Sequence, residues 1–190
     1  MRELTPLAIA VLALLNERPM HAYEMYQVLL ARKNDQLVKV RPGSLYHTVE
    51  RLAGHELVHA TGTDRSGNRP ERTTYAITVE GKQMLAERVQ NGIENYQNEY
   101  PLFPVVLSEA HNLDIEDALI RFRRRVEQLD AALTEVTTAI AGATERRVPE
   151  AFWMAADYNR AQLASERDWL ITLIKRIESK DLAWSHRKNK

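Results

Sequence analysis

The 190-residue chain contains no cysteine. That excludes disulfides, thiol redox chemistry and cysteine-ligated zinc, and makes a reducing, cytoplasmic setting the expectation. Net charge is also lacking, since 26 Lys and Arg balance 26 Asp and Glu. A nucleic-acid partner would therefore have to be met by a local concentration of cations. Nor is there a membrane span. The apolar stretch from Leu4 to Leu15 follows Arg2 as a signal peptide might, but Glu3 sits in the would-be positive region. Asn16-Glu17-Arg18-Pro19 follows instead of a small-residue cleavage site, and the stretch falls short of the roughly 20 residues that cross a bilayer.

Catalytic signatures are missing too. There is no Gly-rich phosphate loop, no Gly-x-Ser-x-Gly elbow and no His-Glu-x-x-His, and His111 and His186 fall in a connector and a tail. His55 and His59 are four apart, but the chain is expected to leave its helix between them, which argues against a shared metal. No enzyme, metal site or cofactor is expected. What is present is 44% hydrophobic and 27% charged residues, enough for a globular core, with a helical lean from long Ala/Glu/Arg/Leu stretches.

A first helix is expected from Pro6 to Glu17, with Thr5 as N-cap, Pro6 in the first helical position and an apolar surface nearly all round. A second helix follows from about Ala22 to Arg32. A third begins near Pro42-Gly43-Ser44 and ends by Gly54. Two strand-like runs, Leu57 to Thr61 and Thr73 to Ile77, flank a turn-rich segment and read as a hairpin. Three helices and a hairpin are the element order of a winged helix-turn-helix. The expected fold class is thus mainly α: a winged helix at 1–80, a linking helix and connector at 81–113, a helical C-terminal dimerisation domain at 114–184 and a frayed tail at 185–190.

The later half is periodic. Leu85, Val89, Ile93, Tyr96 and Tyr100 recur at helical spacing, and Pro101 and Pro104 then break the chain into a connector. Asp114, with Asp117 three residues on, opens the next helix as a variant capping box. Ile115, Leu119, Phe122, Val126, Leu129, Leu133, Val136 and Ile140 step four, three, four, three, which is a heptad seam. Gly142 is expected to end that helix. Pro149 is expected to open a last one, with Ala156, Leu163, Leu170 and Ile177 seven apart.

The third helix carries the candidate DNA contacts. Leu45, Val49 and Leu52 share a face that packs inward, which leaves Ser44, His47, Glu50 and Arg51 opposite, with Tyr46 and Thr48 on the flanks. Such a face suits the major groove, and the helix N-terminus can take a phosphate. The hairpin tip adds Arg65, Asn68, Arg69 and Arg72 against Asp64 and Glu71, the local positive excess that zero net charge requires. Lys39 and Arg41 are further phosphate candidates. A winged helix that binds protein instead of DNA is the alternative, and the basic wing is the feature that separates the two.

Three segments extend this reading: MHAYEMYQVL, RPGSLYHTVERLAGHELV and RPERTTYAITVEGKQML. In order and spacing they resemble the signature segments of PadR-type regulators, with Ala22 where glycine is usual. The resemblance spans about the first 85 residues. It implies a homodimeric repressor, with the Tyr46 hydroxyl and the helix N-terminus on phosphate and the wing gripping the backbone. The helical remainder resembles the branch of the family with a larger dimerisation domain, by length and pattern only.

Two copies on a two-fold axis would address a palindromic double-stranded operator with half-sites about 34 Å apart or a multiple of that. The Ile115 to Ile140 seam, with Leu163 and Leu170, supplies a basis for such a dimer, although it can also pack within its own chain. A small-molecule effector would complete a switch. Tyr96, Tyr100 and Phe103, with Phe122, Trp153, Tyr158 and Trp169, are candidates for an apolar lining. Arg160, or one of Arg121, Arg123, Arg124 and Arg125, is a candidate partner for a carboxylate. Aromatic and phenolic acids are the effectors that the resemblance implies.

Overall fold

The computed structural model describes residues 4–64 and 72–184, with the backbone alone at residues 63, 64 and 72. The chain divides after Asn98 into two compact units.

The N-terminal unit is built around helix α1 (Pro6–Glu17). Thr5 caps it as expected, its Oγ1 accepting from the Ala8 amide at 3.3 Å. Leu7, Ala8, Val11, Leu12, Leu14 and Leu15 are all buried, and the solvent side of this helix is the stripe of Pro6, Ala13, Asn16 and Glu17. It packs against α2 (Ala22–Ala31), α3 (Pro42–Gly54), strand β3 (Arg72–Ile77) and α4 (Val79–Glu94). Leu12, Met25 and Leu45 reach full burial in this core. Each contributes roughly 1.5–3 kcal/mol by leaving water.

The hairpin is present as β2 (Val58–Asp64) and β3 (Arg72–Ile77), with a register shift between Ala60 and Gly62. The sheet, however, has three strands. Met20–His21 forms a short β1 that pairs antiparallel with β3, Met20 opposite Tyr75. Two residues are too few for any hydrophobic alternation to be read, and the pairing exists only because β3 passes alongside.

Two of the signature segments have structural work to do here. Glu24 accepts from Arg18 at 2.5 Å and lies 3.2 Å from His21 Nδ1, which ties the start of α2 to the end of α1. The hydrogen bond from Arg18 holds the Glu24 carboxyl below the usual carboxylate range. Ala22 is buried, which explains why a small residue stands there. Thr78 caps α4 by accepting from the Gly81 amide at 2.9 Å and donates to the Glu56 carbonyl at 2.9 Å. A Cβ at Gly81 would lie 2.1 Å from the Leu57 carbonyl oxygen, so backbone passes backbone where no side chain fits. Met84 and Leu85 pack on the same core, and α4 therefore belongs to the N-terminal unit and not to a separate linker.

The C-terminal unit corrects three expectations. The proline-broken connector contains a helix, α5 (Leu102–Ser108). Pro101 is its N-cap and Pro104 lies in its first turn, where the missing N–H would have no intrahelical acceptor. Helix α6 (Ile115–Glu145) runs through Gly142 and stops where Arg147 turns left-handed at φ 56. Ala143, one residue past that glycine, is buried, and packing outweighs the roughly 1 kcal/mol that glycine costs inside a helix. Pro149 opens only a tight turn at Glu150–Phe152, and α7 begins at Met154 (Met154–Glu178). Between them Trp153 leaves helical geometry and its Nε1 donates back to the Val148 carbonyl at 3.2 Å. At the start of α6, Asp114 makes no side-chain cap bond, although its carbonyl accepts from Ala118 at 2.9 Å.

Helices α6 and α7 pack along their length. The core of this unit joins Ala118, Phe122 and Leu129 of α6 to Leu170, Ile174 and Ile177 of α7. Among the described residues no helix is long and apolar enough to cross a membrane.

Candidate nucleic-acid interface

Helix α3 presents the site. Arg41 is its N-cap residue in extended conformation and makes no side-chain cap bond, Pro42 occupies the first helical position, and Gly43 and Ser44 follow. The amides of Gly43 and Ser44 thus stand in a first turn that has no intrahelical acceptors for them. Both residues are exposed, and a Cβ built on Gly43 meets nothing within 4 Å. Nothing in the chain itself requires glycine at this position.

The inward face is Leu45, Val49 and Leu52, as the spacing predicts. The outward face carries exposed Ser44, His47, Glu50 and Arg51, with Tyr46 about half exposed at 46%. His47 Nδ1 lies 3.5 Å from the Glu50 carboxylate. Arg51 reaches back over α1, its Nη2 donating to Thr5 Oγ1 at 3.2 Å. Lys39 and Arg41 are exposed beside the helix start.

Thr48 is a correction. It was expected on the flank of the outward face, but it is 7% exposed and its hydroxyl donates to the Ser44 carbonyl at 2.7 Å. At 100° per residue it falls just behind Leu45, and the backbone satisfies its one polar group. It cannot reach a base. Arg65, Asn68 and Arg69 lie outside the described residues, and Arg72 is described only by its backbone, paired with Asp64.

Of the candidate effector residues in the C-terminal unit, Phe122 and Trp169 line one cleft, and Tyr100, Phe103, Trp153, Tyr158 and Arg160 do not. Tyr96 and Tyr100 are 91% and 81% exposed, each in a different unit. Phe103 lies under the Arg125 guanidinium, 3.6 Å from the ring centre, and Arg125 also donates to Glu166 at 2.5 Å. Trp153 is half-buried on its own turn. The exposed Tyr158 hydroxyl accepts from Gln162 at 2.7 Å, and Arg160 pairs with Asp157 at 2.6 Å. What sequence reasoning overlooked is Trp184, placed just before the supposed frayed tail. A large aromatic there, followed by Ser-His-Arg-Lys-Asn-Lys, was the available signal that the chain docks before it ends.

The heptad seam is divided by its surroundings. Phe122, Leu129 and Val136 are buried, whereas Leu119, Val126, Leu133 and Ile140 are half-buried, and Ile115 is 39% exposed. On α7, Leu170 is fully buried and Leu163 packs partly buried against the same core.

With this geometry in hand, the chain can be set beside known proteins. Residues 11–87 match the model of the transcriptional regulator PadR-like family. That stretch, 77 of the 190 residues, is similar to a PadR-like domain. The PadR fold extends well beyond them. Bacillus subtilis PadR in complex with operator DNA superposes with a TM-score of 0.76 at 16% identity, over 90% of this chain and 97% of that one. The PadR-like transcriptional regulator BC1756 from Bacillus cereus gives 0.68 at 14% identity, over 92% and 99%. Bacillus subtilis PadR in complex with p-coumaric acid gives 0.69 at 16% identity, over 90% and 98%. No curated protein sequence matches the chain. The winged helix and the helical C-terminal unit thus have the fold of these solved PadR structures, at low sequence identity throughout.

Proposed function

We propose that this PadR-like chain is a dimeric, sequence-specific DNA-binding repressor of transcription, released by a small aromatic effector. The observation that carries the reading is the outward face of α3, where Ser44, Tyr46, His47 and Arg51 stand exposed beside uncapped amides at Gly43 and Ser44. The first-turn amides and the Tyr46 hydroxyl take phosphate, while His47 and Arg51 face the base edges. Arg65, Asn68, Arg69 and Arg72 of the wing complete the grip on the backbone.

Doubling follows from the small contact. One helix face and one wing offer few base contacts, and two copies read a palindrome. Half-buried Leu133 and Ile140 of the α6 seam, which are not part of the core cluster that α6 shares with α7, support a partner surface there. The effector reading is supported by the p-coumaric acid complex of the similar Bacillus subtilis protein.

The test is retardation of DNA from upstream of the chain's own gene. Affinity falls at least about a hundredfold between 50 and 200 mM salt, since several phosphates are neutralised. Tyr46→Ala and Arg69→Ala each lose binding while sedimentation still reports a dimer. Binding that ignores salt, or no binding at all, makes the domain a protein-interaction module instead.

A further inference from the structure

The outermost stripe of α3 carries few side chains. Leu45, Val49 and Leu52 turn inward, and at 100° per residue Gly43, His47, Glu50 and Gly54 lie opposite them, stepping four, three, four. All four are exposed. A Cβ built on either glycine meets nothing within 4 Å, so no neighbour in the chain accounts for the missing side chains. Between the two glycines stand only His47 and Glu50. Ser44 and Arg51 fall on one flank and Tyr46 on the other, and Arg51 Nη2 is drawn aside onto Thr5 Oγ1 at 3.2 Å. A helix bare at both ends of its outer stripe can sink into a groove until the two remaining side chains meet the floor.

Glu50 is the one carboxylate of α3. On a face turned to DNA it repels every phosphate, and so weakens binding to any sequence that gives it nothing in return. Its pairing with His47 does not account for it. Nδ1 lies 3.5 Å from the carboxylate and the two side chains are 86% and 68% exposed, where an ion pair adds little to stability. The contact does keep the carboxylate beside His47 on the stripe. An ionised carboxylate only accepts hydrogen bonds. The donors on the major-groove edge are the N4 amine of cytosine and the N6 amine of adenine. Adenine sets its N7 acceptor next to that amine, against the second carboxylate oxygen, whereas cytosine sets a C–H edge there. Guanine O6 and N7 and thymine O4 are acceptors, and would strip the carboxylate of water without replacing it.

We propose that Glu50 is a specificity-determining residue that accepts a hydrogen bond from the N4 amine of an operator cytosine and lowers affinity for unrelated DNA. The proposal rests on the reading of α3 as the helix that enters the major groove.

Selection of bound duplexes from a randomised pool by the full chain, then retardation of the recovered site and its single-base variants, tests it. The parent requires cytosine at one position of each half-site, and thymine there weakens binding at least about tenfold. Glu50→Gln, whose amide pairs with N6 and N7 of adenine, moves the preference at that position to adenine. Glu50→Ala loses the preference there, keeps it elsewhere, and binds unrelated DNA severalfold tighter than the parent at low salt. Both variants keep the parent's circular dichroism, since the side chain is exposed. An unchanged base preference in Glu50→Gln, or no gain on unrelated DNA in Glu50→Ala, overturns the role of Glu50 and leaves α3 as the DNA helix. Preference lost at every position at once makes Glu50 a structural residue and overturns the readout. A parent chain that retards no DNA overturns the reading of α3 itself, and the role of Glu50 with it.

Discussion

Thr5 Oγ1 accepts two hydrogen bonds, one from the Ala8 amide that it caps and one from the Arg51 guanidinium of α3, the helix proposed to face DNA. The start of the buried central helix and the outward face of α3 are therefore joined through one hydroxyl, and Arg51 leaves solvent in a defined direction. Thr5→Ala removes both bonds. The cap alone is worth about 1 kcal/mol, to be read from urea unfolding. DNA affinity falls severalfold, and the double variant Thr5→Ala with Arg51→Ala binds no worse than Arg51→Ala alone. Additive losses would show that Thr5 acts on DNA binding by some route other than Arg51.

Gly43 should respond to alanine in opposite directions in two assays. No atom of the chain opposes a Cβ there, and its φ is not left-handed, so Gly43→Ala stabilises the protein by about 0.5 kcal/mol through the unfolded chain. The same methyl obstructs close approach of a phosphate to the first-turn amides, so DNA affinity drops at least tenfold. A variant that gains stability and keeps its affinity would remove the phosphate from this position.

The two edges of the α6 seam separate folding from assembly. Leu129 is 7% exposed within its own chain's core, so Leu129→Glu places a carboxylate among apolar groups and costs several kcal/mol. Helicity by circular dichroism falls together with any dimer. Leu133 is half-buried, and Leu133→Glu gives monomers by sedimentation with helicity retained. A dimer that survives Leu133→Glu places the contact on another surface.

Glu17, like Glu24, is a source of acid sensitivity in the N-terminal unit. Arg32 clasps Glu17 through both guanidinium nitrogens, at 2.5 and 2.8 Å, joining the ends of α1 and α2. This hydrogen bonding, reinforced by the charges of Arg32 and Arg18, holds the Glu17 carboxyl below its ordinary value of 4.5. A depressed folded value means that the stabilisation is present above pH 4.5 and is lost as pH falls through the folded value. Both side chains are about half exposed, so the effect stays under about 1 kcal/mol. Glu17→Gln should therefore destabilise slightly at pH 7 and converge with the parent near pH 3 in urea titrations. A constant difference between the two across that range would remove the ion pair as its cause.

Much of the fold was legible because it rests on local rules. Pro6 to Glu17, Pro42 to Gly54 and the hairpin flanks follow from caps, proline placement and periodicity, each of which acts over a few residues. Where the reading failed, a distant group had intervened. β1 exists because Tyr75 passes beside Met20, α6 continues past Gly142 to bury Ala143, and Thr48 turns inward because the Ser44 carbonyl takes its hydroxyl. Of the face proposed for DNA, Ser44, His47 and Arg51 follow from the 100° step and are exposed, and of the two flank positions Tyr46 is exposed and Thr48 is not.

The sequence by itself determined that a winged helix stands at the N-terminus, which helix presents its polar face, and that no cysteine chemistry takes part. Periodicity and capping are written in neighbouring residues, and composition needs no coordinates at all. Only the tertiary structure decided which positions of the Ile115 to Ile140 seam the chain's own core buries, because a heptad states that a face is apolar and not what covers it. It also decided that Trp184 returns over Phe122, edge to face. That contact joins residues 62 positions apart in the chain, held by a reversal at Lys180 that no local pattern announces.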